Sequence, residues 1–113
     1  MLKKEFENIK ILYVEDEKHI RENAVSYLKR LFKDVFEAKD AFEALEIVNT
    51  KKPHIIITDI KMPKMTGIEL VQKIRETNKD VQIIMLTAFT DTSYLIQAVE
   101  LGLVKYLVKP AMH

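Results

Sequence analysis

A single α/β domain built on a five-stranded parallel sheet is the fold the sequence predicts, and three features predict it. Short apolar segments rich in β-branched residues alternate with stretches of helical periodicity. Two of those segments are apolar almost throughout, and 113 residues suit one core rather than two. Alternation of strand and helix implies βαβ units, whose parallel crossovers are nearly always right-handed. A continuous apolar run, where in–out alternation is missing, is how a strand covered on both faces of a parallel sheet reads.

The elements follow in order. Residues 9–14 (IKILYV) read as the first strand. Ile20, Ala24, Leu28 and Leu31 then recur at helical spacing, with Val25 and Phe32 widening the stripe. Residues 34–38 (DVFEA) are shorter and more polar, as suits an edge strand. Ala41, Ala44, Leu45 and Val48 mark a second helix, separated by Pro53 from a third strand over 55–58 (IIIT). Leu70, Val71 and Ile74 mark a third helix, and 81–87 (VQIIMLT) a fourth strand. Leu95, Ala98 and Val99 mark a fourth helix with Gly102 placed to cap it, before a last strand over 104–108 (VKYLV). Internal repeats, low-complexity tracts and interdomain linkers are absent. After Val108 the chain reads Lys109-Pro110-Ala111-Met112-His113. The final strand is thus expected to be covered by another chain or segment, or by the remainder of a longer protein.

Composition narrows the function. Lys and Arg number 18 against 17 for Asp and Glu, a net charge of +1, which makes no case for nucleic acid or an anionic membrane as the main partner. Cysteine is absent, which excludes disulfides and thiolate chemistry. No apolar run approaches the roughly 18 residues of a membrane span, and the opening MLKKEF is too charged for a signal peptide. A cytoplasmic domain is expected. Gly67 and Gly102 are the only glycines, so a glycine-rich phosphate-cradling loop is ruled out.

Functional groups in an open parallel sheet gather beyond the carboxyl ends of its strands. The first strand runs into Glu15, Asp16 and Glu17, the third into Asp59, the fourth into Thr87 and the fifth into Lys109. Taken singly, each has an ordinary alternative: the acids as helix or turn caps, Thr87 as a strand end, Lys109 as a solvated charge. Jointly they place carboxylates, a hydroxyl and an ammonium on one crevice. Clustered carboxylates repel one another unless a cation joins them. Hard oxygen ligands favour Mg²⁺, which keeps several waters and sits beside phosphates; Mn²⁺ would substitute. One carboxylate then serves as nucleophile toward phosphorus, while the metal, Thr87 and Lys109 offset charge on the transferring oxygens.

These residues resemble the response-regulator receiver domains of two-component signalling. The likeness is carried by 11–17 (ILYVEDE), 55–67 (IIITDIKMPKMTG), 83–88 (IIMLTA) and 105–110 (KYLVKP), four motifs in order that span most of the chain. The resemblance implies a flavodoxin-like, doubly wound five-stranded parallel sheet of order 2-1-3-4-5. Residues 1–113 form one receiver domain on this reading, lacking the family's usual fifth helix. It also implies that Asp59 accepts phosphate from a sensor histidine kinase, a phosphotransfer protein or a small phosphodonor. Asp16 would hold Mg²⁺ directly and Glu15 through water, with Asp59 and the carbonyl of Lys61 completing the protein ligands. Thr87 would bond a phosphoryl oxygen, Ala88 would leave room for it, and Tyr106 would follow Thr87. Lys109 would pair with the carboxylate or phosphate, and the Lys109-Pro110 bond would be cis.

Such a domain is not a turnover enzyme. It promotes transfer onto itself, slows hydrolysis of its own acyl phosphate, and controls an unknown output domain or protein by a population shift. At the pocket rim, Lys61 and Phe89 lack a group to orient an attacking water, and Phe89 shields the phosphoryl group, so slow self-dephosphorylation is expected. The missing helix points to self-association in a non-standard homodimer. A Mg²⁺-dependent phosphatase or phosphotransferase is the enzymatic alternative. Such enzymes commonly place a second acid two residues after the nucleophile, where this chain has Lys61. A receiver-like scaffold that never needs phosphate is the other. His19, His54 and His113 have no ligand-spaced partners, and Met62 and Met65 read as packing around the loop after Asp59.

Overall fold

The computed structural model describes residues 8–87 and 105–108, with strand backbone alone for Thr87 and the last four. The order is β1 (Lys10–Val14), α1 (Lys18–Leu31), β2 (Asp34–Ala38), α2 (Ala41–Lys51), β3 (Ile55–Asp59), α3 (Gly67–Thr77), β4 (Gln82–Thr87) and β5 (Lys105–Val108). Every pairing is parallel, and the sheet runs β2-β1-β3-β4-β5. The short, polar segment at 34–38 is the edge strand its composition predicts. The expected fourth helix and Gly102 lie outside the described residues.

Local chemistry sets the helix boundaries. Asp40 caps α2 by accepting from the Glu43 N–H at 2.8 Å, while the Glu43 carboxylate accepts from the Lys39 N–H at 2.8 Å. At the other end Lys52 takes a left-handed φ of 52° and Pro53 follows, which stops the helix. A reciprocal capping box opens α3: the Thr66 hydroxyl accepts from the Glu69 N–H at 3.1 Å, and the Glu69 carboxylate from the Thr66 N–H at 2.9 Å.

The two faces of the sheet differ. Leu12, Val14, Ile56, Ile83 and Met85 pack against Ala41, Ala44 and Val48 of α2 and Leu70, Val71 and Ile74 of α3 in one buried cluster. Of the stripes expected for the second and third helices, Ala41, Ala44, Val48, Leu70, Val71 and Ile74 are buried, and Leu45 is half-buried against the same cluster. On the opposite face Ile11, Tyr13 and Val25 are buried, but Ile55, Ile57, Ile84 and Leu86 are only half-buried. The expectation that β3 and β4 are covered on both faces therefore holds for one face among the described residues. The reason is lateral position: α1 packs over β1 and β2.

The stripe predicted for α1 also needs correction. Val25 is buried and Ala24, Leu28, Leu31 and Phe32 are half-buried, but Ile20 is 49% exposed. Helical spacing assigns Ile20 to the right side of the helix; its place in the first turn, at the carboxyl rim of the sheet, leaves it little to pack against.

Candidate functional site

The chain leaves β1 toward β2 on one side and returns to β3 on the other, so the direction of winding reverses between β1 and β3. The crevice beyond the carboxyl ends of those two strands is where such a sheet presents its functional groups. Val14 is in register with Thr58, so Glu15 and Asp59, the next residue of each strand line, emerge side by side. One carboxylate oxygen each from Glu15, Asp16 and Asp59 lies within 4.8 Å of the others. Glu15 and Asp59 are buried and Asp16 is exposed.

The acidic turn divides its duties. The Glu15 N–H donates to the Ala38 carbonyl at 3.0 Å, carrying the β1–β2 ladder one residue past the strand. Its carboxylate accepts from the Glu17 N–H at 3.1 Å, and Glu17 caps α1 by accepting from the Ile20 N–H at 2.7 Å. Glu17 thus starts the helix, leaving Glu15 and Asp16 for the crevice. On the β3 side, the Ile60 N–H donates to the Leu86 carbonyl at 3.2 Å and the Gly67 N–H to the Ile60 carbonyl at 2.7 Å. The Lys61 N–H approaches the Asp59 carboxylate at 3.4 Å, and the Thr58 hydroxyl donates to the Asp59 carbonyl at 3.0 Å. Asp59 is therefore held from both flanks of its strand end.

Tyr13 sits beneath this cluster. Burial, followed by the negative charges of Glu15 and Asp59, pushes its phenol up to about 12. The folded state therefore holds the phenolic proton to higher pH than the unfolded chain. This contribution is intact below pH 10 and is lost as pH rises toward 12, a change of about 2–3 kcal/mol. Tyr13→Phe is expected to flatten stability across that window in denaturant titrations at stepped pH. An unchanged slope in the variant would argue against the buried phenol as its source.

The structure places the other expected residues as follows. Thr87 closes β4, one residue beyond the Leu86 that is in register with Asp59. Its side chain lies outside the described residues, as do the side chain of Tyr106, all of Ala88, Phe89, Lys109 and Pro110, and with them the expected cis bond. Lys61 is exposed, and its backbone N–H is the group seen at Asp59. Met62 is buried and Met65 half-buried against the core, as packing residues. His19 is exposed, and the capping at that helix end falls to Glu17. Sequence reasoning did not single out Tyr13, Arg21 or Glu37. For Arg21 a signal existed: a cation in the first turn of a helix, against the preference set by the helix dipole.

Three oxygen donors, two of them withdrawn from water, form a set that is repulsive alone and satisfied by a hard dication. The residues present fit Mg²⁺ by the chemistry of that donor set.

A family model described as the response regulator receiver domain matches residues 11–113. The chain is 42% identical over 101 residues to "Probable transcriptional regulator ycf27" of Porphyridium aerugineum, covering 89% of this chain and 42% of that protein. It is 38% identical over 103 residues to the "Alkaline phosphatase synthesis transcriptional regulatory protein PhoP" of Bacillus subtilis, covering 91% and 43%. Its fold matches a solved response regulator receiver domain protein from Clostridium thermocellum with a TM-score of 0.84 at 31% identity, over 92% of this chain and 84% of that one. The N-terminal domain of an uncharacterized protein from Wolinella succinogenes matches with a TM-score of 0.83 at 36% identity, over 92% and 84%. The chain spans less than half the length of these two curated relatives.

Proposed function

The chain belongs to the response-regulator receiver family of two-component systems, and on that premise we propose that it is a phosphorylation-controlled switch whose phosphoacceptor is Asp59. The observation that carries this reading is the convergence of the Glu15, Asp16 and Asp59 carboxylates at the β1/β3 crevice. Receiver domains work with histidine kinases and are generally not turnover enzymes. In the proposed transfer, an Asp59 carboxylate oxygen attacks the phosphorus of a phosphohistidine. The P–N bond breaks, its electron pair returns to the imidazole nitrogen, and an acyl phosphate remains on Asp59. A bound Mg²⁺ supplies positive charge to the phosphoryl oxygens. Asp16 would hold that ion directly and Glu15 through water, Asp59 and the Lys61 carbonyl would complete the protein's share, and Lys109 and Thr87 would meet the phosphoryl oxygens. Thr87 and Tyr106 then bias the surface read by an output domain or partner outside this chain. Lys61, two positions after Asp59 and exposed, supplies no second acid, which favours a receiver over a phosphatase.

The test compares the native chain with Asp59→Ala by NMR in Mg²⁺ and beryllofluoride. Mg²⁺-dependent shifts around Thr87 and Tyr106 are expected in the native protein and absent in the variant. A native spectrum that does not respond would move the assignment to a phosphate-independent scaffold.

A further inference from the structure

Helix N-termini favour acidic residues because the helix dipole leaves partial positive charge there. Yet α1 has no acid in its first turn and opens Lys18-His19-Ile20-Arg21. Arg21 does not extend into water to escape the conflict: its side chain is 14% exposed. The guanidinium folds back along the helix, donating from Nη1 to the Glu15 carbonyl oxygen at 2.9 Å and from Nε to the Glu37 carboxylate at 3.1 Å. The Glu15 carbonyl belongs to the peptide that joins Glu15 to Asp16, so fixing it fixes how two successive carboxylates leave the chain. Glu37 lies in β2 in register with Tyr13, so the other end of the tether is anchored to the sheet. An arginine suits this task because its planar fork serves two acceptors in fixed directions.

We infer that Arg21 is a positioning residue for the cation site, holding the Glu15–Asp16 peptide so that both carboxylates meet Asp59. The inference rests on the receiver reading given above. Charge and positioning make opposite predictions here. A bare positive charge beside the crevice repels a dication, so removing it tightens Mg²⁺ binding. A tether that preorganises the ligands does the reverse, and loss of such outer partners weakens metal affinity about tenfold or more.

The experiment is a Mg²⁺ titration of the native chain, Arg21→Met and Arg21→Lys, followed by amide shifts at Asp16 and Asp59. Unfolding midpoints are measured without metal. Arg21→Met is expected to bind about tenfold more weakly, and Arg21→Lys, which retains one donor group and the charge, to fall between it and the native chain. Equal or tighter binding by folded Arg21→Met overturns the inference and leaves the receiver reading standing. Should Arg21→Met fail to fold, Arg21→Lys decides: native affinity in that variant overturns the inference. A native chain that takes up no Mg²⁺ overturns the receiver reading itself.

Discussion

Replacing Gly67 by alanine is expected to cost about 3 kcal/mol or more, read as a fall in the urea midpoint at unchanged m-value. Gly67 is the first residue of α3, and its N–H donates to the Ile60 carbonyl at 2.7 Å. A Cβ at this position would be driven into the Asp59 carbonyl oxygen, with the Ile60 Cα 3.0 Å away. Those atoms are backbone and have no rotamer by which to yield. The start of α3 must therefore move off the end of β3, straining the hydrogen bond and disturbing the packing of Ile68, Leu70 and Val71, all buried. Because the displaced strand end is the one that carries Asp59, uptake of beryllofluoride is expected to weaken in whatever fraction stays folded. A midpoint within about 1 kcal/mol of native would mean that the close approach relaxes at little cost.

Asp16→Asn is expected to leave the fold intact and to remove most of the stabilisation that Mg²⁺ confers. Asp16 is exposed, whereas Glu15 and Asp59 are buried beside it, so it is the member of the cluster that can be changed with least disturbance. A ligand that binds only the folded state stabilises it by RT ln(1 + [L]/Kd), about 2.7 kcal/mol at a hundred times Kd. In a domain of this size that is roughly 10 °C in Tm. The native chain should show the rise on adding Mg²⁺, and Asp16→Asn should show little of it while its metal-free Tm stays near native. An equal rise in both proteins would place the cation elsewhere.

Much of the molecule was legible because its signals are local. The stripes Ala41, Ala44, Val48 and Leu70, Val71, Ile74 fall on buried faces, since periodicity within one segment reports which side of a helix is apolar. The acids at the ends of β1 and β3 could likewise be assigned to one crevice, because parallel strands of similar length end at the same rim. Ile20 shows the limit. Spacing places it on the apolar side, but how far the sheet extends beneath the helix is not a property of the helix. Arg21 is a second case, since its partners Glu15 and Glu37 come from two different strand ends.

By itself, then, the sequence determined the types and order of the described elements and the inventory of acidic groups, all of which are written within short windows of chain. Tertiary structure alone decided the distances. The pairing of Val14 with Thr58, residues brought together across the α1–β2–α2 excursion, sets the carboxylates within 4.8 Å. The contact between Gly67 and the Asp59 carbonyl fixes where α3 starts against the strand end. Pairing and close approach depend on the packing of segments distant in sequence, and that packing, not any local pattern, brings three acids to one crevice.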